Sequence, residues 1–442
     1  MIPVLWLLTA ILAARWLGAD ERTAEQQVDG NPLERNLFMG LLACGLVVLS
    51  TRGQRVSAVL KANLPIVLFF VYCLLSTAWS DFPAIAFKRW IKALGDLVMV
   101  LIVLTEVEWP TAVARFLSWV GFILLPVSVL LIKYFQGLGV IYKFEEGRQV
   151  FVGVTNDKNL LGVICVIFGL VALWRVVHAL RATPLRKGHL FAHGAILSMA
   201  FWLLAKAHSM TAIATFSLAA CLVLATSFPG LARRRPLIHV LVASLITVAA
   251  IALFADFGAG LVQAMGRDQT LTGRTEIWSE VLDLTTNPVL GTGFESFWMG
   301  DRLEVIWAKH WWHPNEAHNG YLEVFINLGW MGVLTLGAVV ITGYRNAHRT
   351  LERHPDVGGL ALAFFTLCLA YNFTEAGFRL LNPIWICFLV ATADVPEVVP
   401  ASAEAKDAVE RPTAAAIAAA HVASAPAFSG LARGRYGSGS SR

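Results

Sequence analysis

The stretch NLLGVICVIFGLVALWRVV, residues 159–177, decides the fold class: it runs sixteen residues with no charged side chain before Arg175. A run near the ~20 residues that cross a hydrocarbon core satisfies its own backbone hydrogen bonds in lipid only as a helix. Comparable runs recur along the chain. They predict about twelve spans, near residues 2–18, 37–50, 64–79, 93–107, 112–132 and 159–177, then 189–205, 211–227, 237–255, 319–342, 358–372 and 382–394. Composition agrees. Of 442 residues, 57% are hydrophobic and 15% charged, against roughly 25% charged in soluble chains, which excludes disorder for most of the chain, a disulfide scaffold and an ordinary cytosolic enzyme. The expectation is an all-α, polytopic integral membrane protein.

The net charge of +5 is spread over loops, with no basic run of the kind that tracks nucleic acid. The six cysteines all lie inside apolar segments and read as small buried hydrophobes. The apolar start, Ile2 to Leu17, lacks a basic leader and a cleavage motif and reads as a retained first span. Basic clusters at Arg52, Arg55 and Lys61, at Arg175 to Lys187, at Arg233 to Arg235 and at Arg345 to Arg353 fall on one side of a twelve-span arrangement. By the positive-inside rule that side is cytoplasmic, as are both termini. Residues 1–254 then form an N-terminal bundle, 255–318 a large outer loop between spans 9 and 10, 319–395 the last spans, and 396–442 a flexible tail rich in Ala, Ser, Gly and Pro. The outer loop holds five tryptophans, which linkers lack, so it is expected to fold.

Two constellations carry chemistry. In TLTGRTEIWSEVLDLTTNPVLGTGFESFW, residues 270–298, Arg274 stands in the first turn of a helix with Trp278 on its apolar face. Backbone N–H groups there favour an anion, and a guanidinium suits a diphosphate; the alternative is a surface Arg paired with Glu276 or Asp268. In Trp311-Trp312-His313-Pro314-Asn315-Glu316-Ala317-His318-Asn319-Gly320-Tyr321-Leu322, His318 sits where the loop enters the next span. An imidazole at that boundary takes a proton from a sugar hydroxyl, or packs as an interfacial ring beside Trp. A metal reading would use His310, His313, Glu316 and His318, but the spacing is not a metal-helix pair, and no metal is expected. A carboxylate pair from Glu295, Glu304 and Glu316 has no readable separation. Thinner outer-side features are Trp79 to Pro83 leading into Lys88, Arg89 and Lys92, then Gly153 to Asn159, Lys206 to Thr211, and Asn372 to Arg379. Together they suit a lipid-anchored anionic substrate.

Gly273-Arg274, Trp278, Asn287-Pro288, Gly291-x-Gly293 and Phe297-Trp298, followed by Ala317-His318-Asn319-Gly320-Tyr321-Leu322, resemble the signature loop of the O-antigen ligase and polysaccharide polymerase superfamily. Lys158-Asn159-x-x-Gly162 and Asn372-x-x-Glu375 fit its exopolysaccharide-production polymerase branch. The resemblance covers about residues 150–390. It implies a GT-C-like glycosyltransferase of the bacterial inner membrane that needs no metal or other cofactor. Such an enzyme takes a glycan from an undecaprenyl-diphosphate carrier at the periplasmic face. It implies catalytic roles for His318, orienting or deprotonating the acceptor, and for Arg274, holding the diphosphate, with inversion at the sugar. Substrate binding would fall to Lys206, Lys158, Asn159, Trp278, Trp298, Asn319, Tyr321, Glu375 and Arg379. The partners implied are a lipid-linked oligosaccharide donor, a glycan acceptor, membrane lipids, a chain-length regulator and export machinery. Many ligases of this superfamily carry Ser-Arg or Thr-Arg in an outer turn where this chain has Ser209-Met210-Thr211. That departure favours polymerase over ligase unless Lys206 substitutes. A twelve-span transporter is the rival from another class; the charges within spans are few, and Asp96 lies one turn from Lys92, a possible partner.

Overall fold

A computed structural model describes residues 1–16, 31–143, 148–232, 234–254, 272–310 and 312–397. One helix stands at each of the twelve expected positions. In chain order they are α1 (Ile2–Trp16), α2 (Pro32–Ser50), α3 (Gly53–Ala62) bent onto α4 (Leu64–Ser76), α5 (Pro83–Leu104), α6 (Trp109–Tyr134), α7 (Lys158–Arg181), α8 (Lys187–Ala207), α9 (Met210–Ser227) and α10 (Arg235–Phe254). Two loop helices follow, α11 (Thr272–Asp283) and α12 (Asp301–Lys309), then α13 (Gly320–Arg353), α14 (Pro355–Tyr371) and α15 (Pro383–Thr392). Six of them, α2, α6, α7, α8, α9 and α13, are long and apolar enough to cross a membrane; α3 and α4 meet at 89° and make a seventh if taken as one span. The shorter apolar helices α1, α10, α14 and α15 supply the remaining expected positions, with α5. The expected tail, 396–442, lies outside the described residues but for its first two.

Helix starts follow local chemistry. Asn31, Asp157, Ser209, Asn319 and Asn382 each cap the following helix by accepting a backbone N–H, and proline opens α2, α5, α14 and α15. α5 begins ten residues before the apolar run because Pro83 fixes its first turn, and Lys88, Arg89 and Lys92 continue the helix beyond the apolar stretch. Among the described residues the only sheet is a hairpin, Val140–Lys143 (β1) against Arg148–Phe151 (β2), with Val140 opposite Phe151.

α13 is broken. Gly329 has φ 62 and ψ −166, and a Cβ there would meet the Val289 carbonyl oxygen at 2.3 Å. The break frees the carbonyls of Ile326 and Asn327, which accept from Thr292 N (3.1 Å) and Gly293 N (2.9 Å). Trp330 N donates in return to Pro288 O at 2.9 Å. The Gly291-Thr292-Gly293 turn is thus inlaid in a kinked span, where the loop's backbone satisfies the carbonyls that the helix leaves open.

The core is continuous across the helices, with α7, α14 and α15 most deeply buried. A second apolar cluster, Ile277, Val281, Phe297, Trp298, Leu303, Ile306, Ala317 and Ile326, ties α11 and α12 to the start of α13. This packing holds the backbone on either side of His318.

Candidate active site

The site is built at the N-terminus of α13. Asn319 caps that helix, accepting Tyr321 N and Leu322 N at 3.0 Å each, so the chain enters through a tight turn and His318 takes φ 48. Gly320 N donates to Asn372 O (2.9 Å) and Glu375 O (3.1 Å), which docks the turn against the loop after α14. Asn372 is the hub of that loop. Its fully buried Oδ1 accepts from Gly377 N and Phe378 N, both at 2.8 Å.

Docking brings His318 against two carboxylates. Its Nδ1 lies 2.9 Å from Glu316 Oε1 and 3.2 Å from Glu375 Oε2. The second oxygen of Glu316 accepts from Arg379 Nη1 at 3.2 Å, and Arg379 Nη2 reaches Glu295 Oε2 at 3.4 Å. The result is a chain Glu375–His318–Glu316–Arg379–Glu295. Trp312 stacks on the imidazole, with ring centroids 6.1 Å apart.

Burial by itself would lower the His318 imidazole. The hydrogen bonds and negative charges of Glu316 and Glu375 outweigh it and lift the ring to about 10. Burial would raise Glu316, but His318 and Arg379 hold it down to about 2. Burial disfavours the Arg379 charge, and Glu295, Glu323 and Glu316 more than restore it. Near neutral pH Glu316 and Arg379 are therefore charged, with an imidazolium at His318 beside them. Both carboxylates engage Nδ1, which leaves the Nε2–H of that imidazolium for a substrate, as in other carboxylate-oriented histidines.

A support layer lies behind it. Buried Glu323, one turn into α13, accepts from Trp298 Nε1 at 2.9 Å and from the backbone N of Ala317, the residue before His318. Trp278 Nε1 donates to Ala317 O at 2.8 Å. Thr374 Oγ1 meets Thr211 Oγ1 at 3.2 Å, joining the α8–α9 turn, and Asp157 lies close enough to feel the charges of Glu316 and Glu375. A cavity of about 30 Å³, room for one or two waters, opens between Arg379, Glu295, Glu323 and the aromatic rings of Phe69, Phe294, Phe378 and Trp385.

The sequence-predicted residues divide accordingly. His318, Glu375 and Arg379 come together directly. Asn319 is the cap that aims them. Tyr321 spends its hydroxyl on Leu369 O (3.0 Å), and the Trp298 indole is buried on Glu323, so both brace the site from within. Lys158 and Asn159 open α7 beside Asp157, whose carboxylate accepts Asn159 N at 2.6 Å. Lys206 lies over Phe151 (5.0 Å) and Trp202 (5.8 Å) and has no ion pair among the described residues. Arg274 falls within α11, but its side chain lies outside the described residues, as does Trp311. Sequence reading left Glu323 and Glu295 without a role at His318; an acid inside a span was the available signal for Glu323. The possible Asp96–Lys92 pair does not form: Lys92 pairs with Glu34 at 2.9 Å.

Among the described residues, Glu316, His318 and Glu375 are also the group that could hold a metal, their donor atoms lying within 4.8 Å of one another. Of the disfavoured metal set His310, His313, Glu316 and His318, the first two stand apart: His310 pairs with Glu280 at 2.9 Å, and His313 stacks on Trp307.

A many-helix membrane protein with a histidine–carboxylate–arginine site at the mouth of a broken span is the class that fold and site define. Comparison with known proteins narrows it. Residues 193–337 match the family model described as O-Antigen ligase, a match that contains His318 and ends before Glu375. The chain is 26% identical over 302 residues to exopolysaccharide production protein ExoQ of Rhizobium meliloti (strain 1021), covering 65% of this chain and 66% of that protein, just under two thirds of its length. The two matches support the O-antigen ligase and polysaccharide polymerase superfamily, near the exopolysaccharide-production branch.

Proposed function

We propose that this protein is a glycosyltransferase of the bacterial inner membrane that polymerises exopolysaccharide repeat units from an undecaprenyl-diphosphate carrier at the periplasmic face. The observation that carries the reading is the clamp of His318 Nδ1 between Glu316 and Glu375, with Arg379 beside it. A fixed ring with one nitrogen turned to the substrate is what a positional catalyst of glycosyl transfer requires. The charged ring donates; it has no lone pair with which to act as a base near neutral pH. His318 therefore orients the acceptor hydroxyl by donating to its oxygen; that oxygen bonds the anomeric carbon as the sugar–diphosphate bond breaks, the diphosphate leaves as the anion, and the hydroxyl proton passes late to water. Arg274 and Arg379 receive the negative charge that develops on the diphosphate. The diphosphate is already a leaving group, so the step uses no metal and proceeds with inversion. Trp278, Trp298, Asn319, Tyr321, Lys158, Asn159 and Lys206 shape the cleft around donor and acceptor. Both termini face the cytoplasm, and a chain-length regulator and export machinery act with the enzyme.

The second reading is a ligase that transfers glycan to lipid A core. Ser209-Met210-Thr211, which lacks the arginine of the ligase turn, favours the polymerase. Surface glycans of a deletion strain separate the two on a gel. The polymerase reading expects loss of high-mass exopolysaccharide with unchanged lipopolysaccharide. Loss of O-chain alone would overturn it in favour of ligase.

A further inference from the structure

Asp96 is fully buried in the middle of α5 and makes no ion pair among the described residues. Its two oxygens are nevertheless both used. Oδ1 accepts from the Trp6 indole N–H of α1 at 2.8 Å, and Oδ2 accepts from the backbone N–H of Leu381 at 2.8 Å. Leu381 lies in a turn closed by Asn382 N donating to Arg379 O at 3.3 Å, and it holds the left-handed φ 57. The turn thus carries Arg379 at one end and the cap of α15 at the other, with Asp96 bound to its inner N–H. Trp6 reaches the acid by lying across Gly95, where any Cβ would stand 2.0 Å from the ring.

A buried carboxylate is costly unless its oxygens are hydrogen-bonded, and this one is bonded on one side to the turn that bears the site's guanidinium. We propose that Asp96 is a positioning residue for Arg379: by fixing the Leu381 N–H it sets where the guanidinium stands between Glu295 and Glu316. The proposal rests on the enzyme reading above, because Arg379 matters to catalysis only if the cluster is the active site. Asp96 touches neither substrate nor reacting atoms. Its effect is transmitted through two residues of backbone, and displacing a catalytic group by about 1 Å costs on the order of a hundredfold in rate.

The test is a double-mutant cycle on the full-length protein in detergent, with the lipid-linked repeat that accumulates in a deletion strain as donor. Asp96→Asn keeps the volume but turns an NH₂ toward one of the two donors. It is expected to lower kcat/KM by roughly tenfold or more, and in an Arg379→Ala background to cost almost nothing further, since the group it positions is gone. Trp6→Phe, which removes only the α1 side of the arrangement, is expected to cost much less. Asp96→Glu, which keeps the carboxyl group but moves the oxygens, serves if Asp96→Asn is not recovered from membranes, with the same expected loss and coupling. Equal losses for Asp96→Asn and Trp6→Phe, or an Asp96 effect that simply adds to that of Arg379→Ala, would overturn positioning in favour of a general packing role. If wild-type protein releases no lipid diphosphate from that donor, the enzyme reading falls and this proposal with it.

Discussion

Replacing Glu375 with glutamine removes one negative charge from the His318 clamp while keeping its volume and one acceptor oxygen. Glu375 Oε2 is 3.2 Å from Nδ1, and Glu316 Oε1 remains at 2.9 Å. The two acids together lift the imidazole from 6.5 to about 10 against the pull of burial. An opposite charge at this range is worth roughly 1–3 pKa units, so the variant ring should titrate at roughly 7–9. The sign follows from which form works. If the imidazolium donates to the acceptor, activity is full below the ring's pKa and lost as pH rises through it. Wild type should hold kcat/KM until pH nears 10, and Glu375→Gln should lose it about one to three pH units earlier. The assay is a pH–rate profile of lipid diphosphate release by purified protein, with membrane abundance matched. An unmoved basic limb would refute the clamp. Activity that instead rises with pH through the ring's titration would show that His318 works as a free base.

Two more outcomes follow from the same geometry. A Cβ on Gly320 would lie 1.7 Å from Asn372 Oδ1, so Gly320→Ala should destabilise the protein by roughly 1–3 kcal/mol or more in a detergent melt and sharply reduce activity; Asn372→Ala added to it should cost less than the two changes separately, and strict additivity would contradict the clash. Prolonged treatment with a chelator should leave turnover unchanged, because the His318 imidazolium and Arg379 already pair with the Glu316 carboxylate; loss of turnover that a divalent cation restores would assign Glu316, His318 and Glu375 as its ligands instead.

The spans were legible because lipid leaves one solution for an apolar run, and each predicted run has its helix. Boundaries were less so: α5 begins at Pro83 and α13 runs on to Arg353, since amphipathic turns beyond the apolar stretch remain helical for reasons of capping and packing. His318 announced itself by standing where a loop becomes a helix beside a capping asparagine. Glu316, Glu375 and Arg379 were also candidates, but their pairing with it was not legible. Glu375 is 57 residues away and Arg379 approaches Glu295 across 84, and such pairings are set by how α14 folds back on α13, which no local pattern encodes. The same holds for Asp96, whose neighbour Lys92 looked like the natural partner from helical spacing; tertiary structure gives Lys92 to Glu34 and Asp96 to Leu381. The inlay of Gly293 on the carbonyl freed at the Gly329 break was likewise invisible, because a lone glycine in a span does not say whether the helix breaks there.

The most direct test of the central claim is turnover by the purified protein in vitro, with a lipid-diphosphate-linked repeat as the sole substrate, following both diphosphate-lipid release and product size. Wild type is expected to give a ladder of longer glycans and matching release of carrier lipid, and His318→Ala at equal membrane abundance neither. Undiminished chain growth by His318→Ala, or no release of carrier lipid by wild type, would contradict it.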